Sequence, residues 1–162
     1  MINENSQKDD FQPAKKRQQL LSVLSVSELS AIQSYWQALS ISPRYSLLKA
    51  PEVGMTMVRA KTGGTGQAFN MGEMTVTRTV IRLNDINAQN DVIGFGYTAG
   101  RNTQKSELIA VIDACFQLSE YAASITKLLL QPLQQLRQQQ KNQQTAQVSA
   151  TKVNFFTMVR GE

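Results

Sequence analysis

The stretch Lys61-Thr-Gly-Gly-Thr-Gly66, followed by Thr75-Val-Thr-Arg-Thr-Val-Ile-Arg-Leu83, decides the fold. The second segment is rich in β-branched residues and alternates along its length, which predicts a β-strand. Because successive side chains of a strand point to opposite faces, this strand divides into two rows. One row holds Val76, Arg78, Val80 and Arg82, and the other holds Thr75, Thr77, Thr79, Ile81 and Leu83.

The glycine-rich loop and the two strand arginines predict a phosphate-binding function. Glycines can adopt positive φ, so consecutive N–H groups can turn inward and form an anion-binding nest. Arginine side chains offer planar forks that match phosphate or phosphonate oxygens. The loop is not a Walker A motif, because its lysine precedes the glycines. An alternative is a simple hairpin connection with arginines on a solvated face. The candidate ligand-binding residues are Lys61, Gly63, Gly64, Thr65, Gly66, Arg78 and Arg82.

The N-terminal third of the chain predicts a helical hairpin. Residues 1–10 are polar, and we expect them to be disordered. Apolar residues at helical spacing predict a first helix from Phe11 or Pro13, and a second one that begins after Ser27 as its N-cap. The single tryptophan, Trp36, is interpreted as the core anchor of this hairpin.

Further strands are predicted on both sides of the glycine loop. A first strand around Tyr45, a turn at Pro51-Glu-Val-Gly54 and a partner strand over Met55–Lys61 precede the loop. The segment Val92–Ala99 predicts a fourth strand, and two of its glycines leave one face bare. That face suits close approach by a ligand or by another backbone, and the alternative is crowding by a neighbouring side chain.

The C-terminal half predicts long helices and a docking tail. Asn102 or Thr103 is a candidate N-cap for the longest helix, which Pro132 breaks or restarts. We predict an α+β class: an antiparallel sheet of about four strands flanked by the N-terminal helical hairpin and long C-terminal helices. The prediction is one domain over residues 1–162, in which residues 132–162 form an extended helix and a docking tail.

The last ten residues, Val153–Glu162, are unusually apolar for a chain terminus. Exposed to water, such a segment would be prone to aggregation, so it must dock. We favour docking on another chain, although folding back onto the chain's own sheet is an alternative. The candidate docking residues are Phe155, Phe156, Met158, Val159 and Arg160.

Composition excludes several kinds of site. The 162 residues contain no histidine and a single cysteine, Cys115. Such a chain cannot build a His/Cys zinc site or a Ser-His nucleophile alone, and we assign it no catalytic residue and no metal. Cys115 and Asp113 fall in an apolar helical pattern, which favours an inert buried thiol and a structural partner for an arginine. No membrane span or signal peptide is predicted, which favours the cytoplasm.

Several blocks along the chain resemble one known family. They are Gly63-Gly-Thr-Gly66, Thr77-Arg78, Ile81-Arg82-Leu83, Gly100-Arg101, Ile112-Asp113-Ala114 and above all Val153-Asn-Phe-Phe-Thr-Met-Val-Arg-Gly161. In order and spacing these blocks are similar to those of the PhnG family. That family is the G subunit of the bacterial carbon–phosphorus lyase system for phosphonate use. The resemblance extends from about Leu20 to the C-terminus.

The resemblance implies a role in the first committed step of phosphonate breakdown. In that step an alkylphosphonate displaces adenine from the ribose of ATP. The G subunit is implied to act with the H, I and L subunits, of which I is thought to carry the glycosyl-transfer site. It is also implied to join the H, I and J subunits in a core complex that a K subunit can bind. ATP and alkylphosphonate are then substrates of the complex, and no cofactor is expected on this chain itself.

An alternative from the residues alone is a stand-alone nucleic-acid-binding module. The net charge of +5 and the glycine and arginine segments favour it. Few aromatic residues are available on the strands for base stacking, which argues against it. We therefore expect no nucleic-acid partner and favour a subunit of an enzyme complex.

Overall fold

The computed structural model describes residues 4–84 and 91–150. The chain forms an α+β structure with a three-stranded antiparallel sheet, as the class prediction requires. The helices are α1 (Glu4–Val26), α2 (Leu29–Ala38), α3 (Thr103–Phe116), α4 (Ser119–Ile125) and α5 (Gln131–Ala150). The strands are β1 (Tyr45–Lys61), β2 (Ala68–Leu83) and β3 (Ile93–Ala99).

The central strand β2 has the two faces that its sequence predicts. In the order β1-β2-β3 it pairs antiparallel with both neighbours. Thr77, Thr79, Ile81 and Leu83 are buried beneath the helices, whereas Arg78 on the other face is exposed. The buried hydroxyls find partners: Thr79 Oγ1 lies 2.7 Å from Ser106 Oγ, and Thr77 Oγ1 donates to Gly100 O. The alternation therefore sets which face of the sheet packs on the helices.

The prediction of two strands before the glycine loop is wrong, because β1 runs unbroken from Tyr45 to Lys61. The expected turn at Pro51–Gly54 lies inside this strand. Proline removes a backbone donor, and an edge strand such as β1 tolerates that loss. Register shifts between Leu47 and Lys49 and between Lys49 and Glu52 absorb the irregularity. The sheet consequently has three strands, where the sequence predicts about four.

Helix α3 packs on β3 at two glycines. A Cβ atom on Gly94 would come within 2.0 Å of Ala110 O, and one on Gly96 within 1.8 Å of Ser106 O. Of the possibilities that the sequence leaves open, the bare face is thus occupied by the backbone of another helix. This contact lets the apolar row of α3, including Ile109 and Ile112, join the core at 0% exposure.

The N-terminal helices α1 and α2 complete the core, with some changes from the prediction. Helix α1 begins at Glu4, earlier than the expected start at Phe11 or Pro13 and within the segment expected to be disordered. Its polar residues include good helix formers, which lets the helix extend. Ser27 is not the N-cap of α2, because its hydroxyl donates to Val23 O and so closes α1. Trp36 packs against the core while remaining partly exposed.

The C-terminal helices are more broken than the sequence predicts. The N-cap prediction for α3 is confirmed at Asn102, whose Oδ1 accepts from Lys105 N at 2.9 Å. However, the helix predicted to be the longest ends at Phe116, within the apolar stripe. As a result α3 is shorter than α1. The helical backbone continues from α4 through a π-helical turn over Thr126–Leu130 into α5, whose second residue is Pro132. The wider turn accommodates the N–H that proline lacks, so Pro132 distorts the helix instead of ending it. The single-domain assignment stays a prediction.

Candidate functional site

The glycine loop closes the long hairpin between β1 and β2. Residues Thr62–Gly64 form a 3-10 turn in which Gly63 has a φ of 61°, and the N–H of Gly66 donates to Thr62 O at 3.0 Å. A Cβ on Gly66 would lie 2.6 Å from that oxygen, so the turn requires glycine there. The N–H of Thr65 also donates to Thr62 O, so the turn uses two of the N–H groups predicted to form an anion nest. Lys61 and Thr65 are exposed beside it.

The two arginines lie on the open face of the sheet, each beside a carboxylate. Arg78 Nε contacts Glu52 Oε1, which also accepts a salt bridge from Lys49 at 2.9 Å. Together Lys49 and Arg78 lower the pKa of the Glu52 carboxyl. The other arginine, Arg82, lies 3.5 Å from Asp91 Oδ2, and its shielded Nε atom has no hydrogen-bond partner within the described ranges.

The structure separates the glycine loop from these arginines. Lys61 pairs with Ala68, ten residues along β2 from Arg78. At about 3.3 Å per residue, the distance along the strand is roughly 33 Å. One phosphate group cannot contact both places. The candidate residues therefore form two separate surfaces, one at Lys61–Gly66 and one around Arg78 and Arg82, and ligand binding at either stays a prediction.

The buried carboxylate Asp113 has a structural role, as its helical position predicts. Arg17 Nε donates to Oδ1 and Nη2 donates to Oδ2, both at 2.7 Å, while the N–H of Phe95 donates to Oδ2 at 2.9 Å. Asp113 is 0% exposed, and its hydrogen bonds raise the pKa of Arg17. The guanidinium of Arg17 also lies 5.8 Å from the centre of the Phe95 ring. This cluster joins α1, α3 and the outer edge of β3.

Cys115 is an inert buried thiol, as predicted. It has no exposed surface, and burial raises the pKa of its thiol to about 12. A thiol with that pKa is protonated at neutral pH and is a poor nucleophile. Among the described residues, no group of three or more His, Cys, Asp or Glu side chains could hold a metal ion. In that same part of the chain, no helix is long and apolar enough to span a membrane.

One exposed feature is not predicted from the sequence: residues 53–75 of the β1–β2 hairpin, which we call the arm. Strand β3 pairs with β2 only from Val76 to Arg82, so the arm extends past it as a two-stranded ribbon. Four of the six methionines of the chain lie in the arm, a compositional signal that could have identified it. Its exposed large apolar residues are Val53, Met55, Met57, Phe69, Met71 and Met74.

The apolar side chains of the arm lie on both of its faces. Val53 pairs with Thr77, so Val53 and Met55 continue the row that the helices cover in the body. On the other face, Met74 lies opposite Thr56 and Phe69 lies opposite Ala60. Within the described residues, the helices that cover the sheet beneath Thr77 do not extend over the arm, where Met55 is 69% exposed. The arm is thus a surface suited to assembly with another protein.

The predicted docking residues of the tail, Phe155, Phe156, Met158, Val159 and Arg160, lie outside the described residues. Docking of the tail therefore stays a prediction.

The exposed apolar arm is a surface typical of proteins that assemble with partners. Comparison with known proteins identifies the family. The model of the family described as phosphonate metabolism protein PhnG matches residues 15–161. The chain is also similar to the alpha-D-ribose 1-methylphosphonate 5-triphosphate synthase subunit PhnG of Rhizobium meliloti (strain 1021). The two are 35% identical over 164 residues, which cover 100% of this chain and 99% of that protein. This chain belongs to the PhnG family of phosphonate metabolism proteins.

Proposed function

We propose that this chain is a required subunit of an alpha-D-ribose 1-methylphosphonate 5-triphosphate synthase in phosphonate catabolism. In this reaction an alkylphosphonate displaces adenine from the ribose of ATP, so the complex is a transferase of ribose triphosphate. The observation that carries the proposal is the full-length similarity to a synthase subunit of that name. The exposed arm supports a role within a complex, because a lone two-stranded ribbon is marginally stable in water.

The contribution of this chain to the reaction is positioning and charge rather than proton transfer. The buried carboxylate Asp113 is held by Arg17 and by the Phe95 N–H, and the thiol of Cys115 is protonated. Displacement at a ribose carbon depends mainly on orientation of the reactants and on stabilisation of developing charge. We therefore assign no catalytic residue to this chain.

The arginine surface around Arg78 and Arg82 is the part of the chain best suited to the anionic substrates. Both arginine side chains are partly exposed, at 46% and 43%, and the side chains of their partners Glu52 and Asp91 are exposed as well. Exposed ion pairs contribute little stability, so phosphate or phosphonate oxygens can replace these carboxylates at small cost. ATP and alkylphosphonate are substrates of the whole complex, and this chain carries no cofactor of its own.

The partners we propose are the H, I and J subunits of the carbon–phosphorus lyase core complex, with the K and L subunits in the same system. The location we propose is the cytoplasm. Stand-alone nucleic-acid binding is less well supported, since it needs aromatic rings for base stacking and the Phe95 ring lies against Arg17.

Reconstitution tests this function. The purified chain, the other subunits without it, and the complete mixture are each incubated with ATP and methylphosphonate, and released adenine is measured by chromatography. We expect adenine release only from the complete mixture. Release by the chain alone at a rate near that of the mixture would contradict the proposed subunit role. Full release by the other subunits without this chain would show that it is not required.

A further inference from the structure

The arm projects from the body far enough to reach into another molecule. From Val76, where β3 still pairs with β2, the ribbon continues over eight residues to Ala68. At about 3.4 Å per residue this is roughly 27 Å. A ribbon of about 10 Å width then offers on the order of 500 Å² over its two faces, which is a large part of the ~800 Å² that each partner contributes to a standard interface.

The distribution of apolar groups indicates the shape of the partner surface. Met55 and Met57 lie on the face that continues the helix-covered row, and Phe69 and Met74 lie on the opposite face. A flat surface would cover only one of these rows. A cleft that receives the ribbon between two walls would cover both. Methionine side chains are flexible and adapt to irregular apolar walls, which suits such an insertion.

The charge near the loop end of the arm indicates what lies at the end of the cleft. Arg59 and Lys61 are exposed, and neither forms a salt bridge with a described residue. They lie directly before the loop, whereas Glu73 lies nearer the body, opposite Met57. A cation that enters a cleft must be compensated, so the innermost part of the partner cleft is expected to carry carboxylates.

Two other occupants of this surface fit the structure less well. A second copy that added a strand to the outer edge of β1 would pair with the backbone there and leave the apolar side chains on the two faces of the arm uncovered. A nucleic acid would require rows of cations along the arm, where residues 53–75 contain only those two basic side chains.

We propose that the arm inserts into an apolar cleft, acidic at its inner end, on another subunit of the synthase. The inference rests on the proposed function for the identity of the complex. It adds the docking element of this chain, its orientation with Lys61 innermost, and the chemistry of the surface that receives it. The glycine loop is then part of the docking element, and the arginine surface around Arg78 and Arg82 remains outside the cleft.

The experiment uses the full chain co-expressed with the other synthase subunits. A photo-cross-linking residue is placed at Met55, at Phe69 or, as a control outside the arm, at Leu128, which is 47% exposed. In parallel, M55Q/M57Q and F69S/M74Q alter one face each. The matched controls are V26Q and L128Q, which replace exposed apolar residues of the body. The readouts are the cross-linked subunit, the amount of partner that co-purifies, and the thermal midpoint of the isolated variants.

We expect cross-links from Met55 and Phe69 to the same partner subunit. We also expect at least a tenfold loss of co-purification for both arm variants and no loss for the controls. The isolated arm variants should melt within a few degrees of the wild type. Cross-linking from one face only would overturn the proposal that a cleft encloses both faces of the arm. Cross-links between copies, or to RNA that co-purifies with the wild type, would overturn the subunit as occupant. Normal co-purification of both arm variants would show that the arm is not the docking element, while the proposed function would remain intact. That function fails instead if the wild-type chain recovers no synthase subunit.

Discussion

The body of the molecule and the arm belong to the same two strands but are stabilised in different ways. In the body, Thr77, Ile81 and Leu83 are buried under helices. In the arm, the same strands continue with apolar side chains on two open faces, and Met55 and Met71 are each 69% exposed. The helices of this chain therefore cover the apolar side chains of the hairpin in the body but not in the arm. We therefore expect the body to fold alone and the arm to be completed by a partner.

The largest effect is expected from a segment that belongs to neither region. Deletion of Val153–Glu162 should abolish incorporation into the synthase while the body stays folded. Burial of each large apolar side chain of the tail should contribute roughly 1.5–3 kcal/mol, which exceeds the cost of ordering a short segment. Co-purification and circular dichroism of the truncated chain measure the two effects. Stoichiometric recovery of the partners with the truncated chain would instead favour a tail that folds back on its own sheet.

The glycines of the two regions should differ sharply in their tolerance of a methyl group. Gly96→Ala places a Cβ within 1.8 Å of Ser106 O, whereas Gly54→Ala meets nothing within 4 Å. We expect Gly96→Ala to cost about 4 kcal/mol or more, or to prevent folding, because a helix backbone must move away. The change at Gly54 should stay within about 0.5 kcal/mol. Urea unfolding of both variants checks the pair, and equal stability of the two would contradict the close packing of α3.

Two ion pairs formed by arginines differ in burial, and we expect them to differ in their contribution to stability. Arg17→Met leaves the Asp113 carboxylate buried with only the Phe95 N–H, whereas Arg78→Met breaks a pair between two exposed side chains. Removing one partner of a buried pair costs roughly 3–5 kcal/mol, and we expect about 3 kcal/mol here because Arg17 is 31% exposed. The exposed pair contributes little, so Arg78→Met should leave the free energy of unfolding close to that of the wild type. Denaturant unfolding gives both values, and a loss below 1 kcal/mol for Arg17→Met would contradict the structural role of Asp113.

The sequence predicts the body better than the arm for a physical reason. Alternation along Thr75–Leu83 fixes both faces of β2, because a half-buried strand separates its polar and apolar residues. The same logic fails at Pro51, where an edge strand tolerates a residue that usually ends a strand. The sequence pattern also does not identify the partner of Asp113. Arg17 lies 96 residues away in the chain, and only the packing of α1 brings it next to Asp113.

For the candidate site, the sequence identifies the residue types but not their separation. The glycine loop and the arginines belong to adjacent segments, which suggests one site. The length of the hairpin places them roughly 33 Å apart along the strand, a distance that becomes clear only when the register of Lys61 with Ala68 is known.

The smallest expected effects separate substrate handling from assembly. Arg78→Ala and Arg82→Ala should each lower synthase activity by a factor equivalent to about 1.5–3 kcal/mol, the contribution of a charged hydrogen bond, with assembly preserved. Lys61→Ala, at the end of the arm, should weaken co-purification instead. Adenine release by complexes of matched stoichiometry measures the first effect. Full activity of both arginine variants would place these residues on a solvated face without a ligand.

Hydrogen exchange tests the contrast between body and arm most directly. Amide exchange is followed by mass spectrometry in the isolated chain and in the assembled synthase, with peptides from 53–61 and 68–75 for the arm and from 76–83 for the body. We predict rapid exchange of the arm peptides in the isolated chain, strong protection of the same peptides in the complex, and equal protection of the body peptide in both. Arm peptides that exchange equally fast in both states would contradict the account.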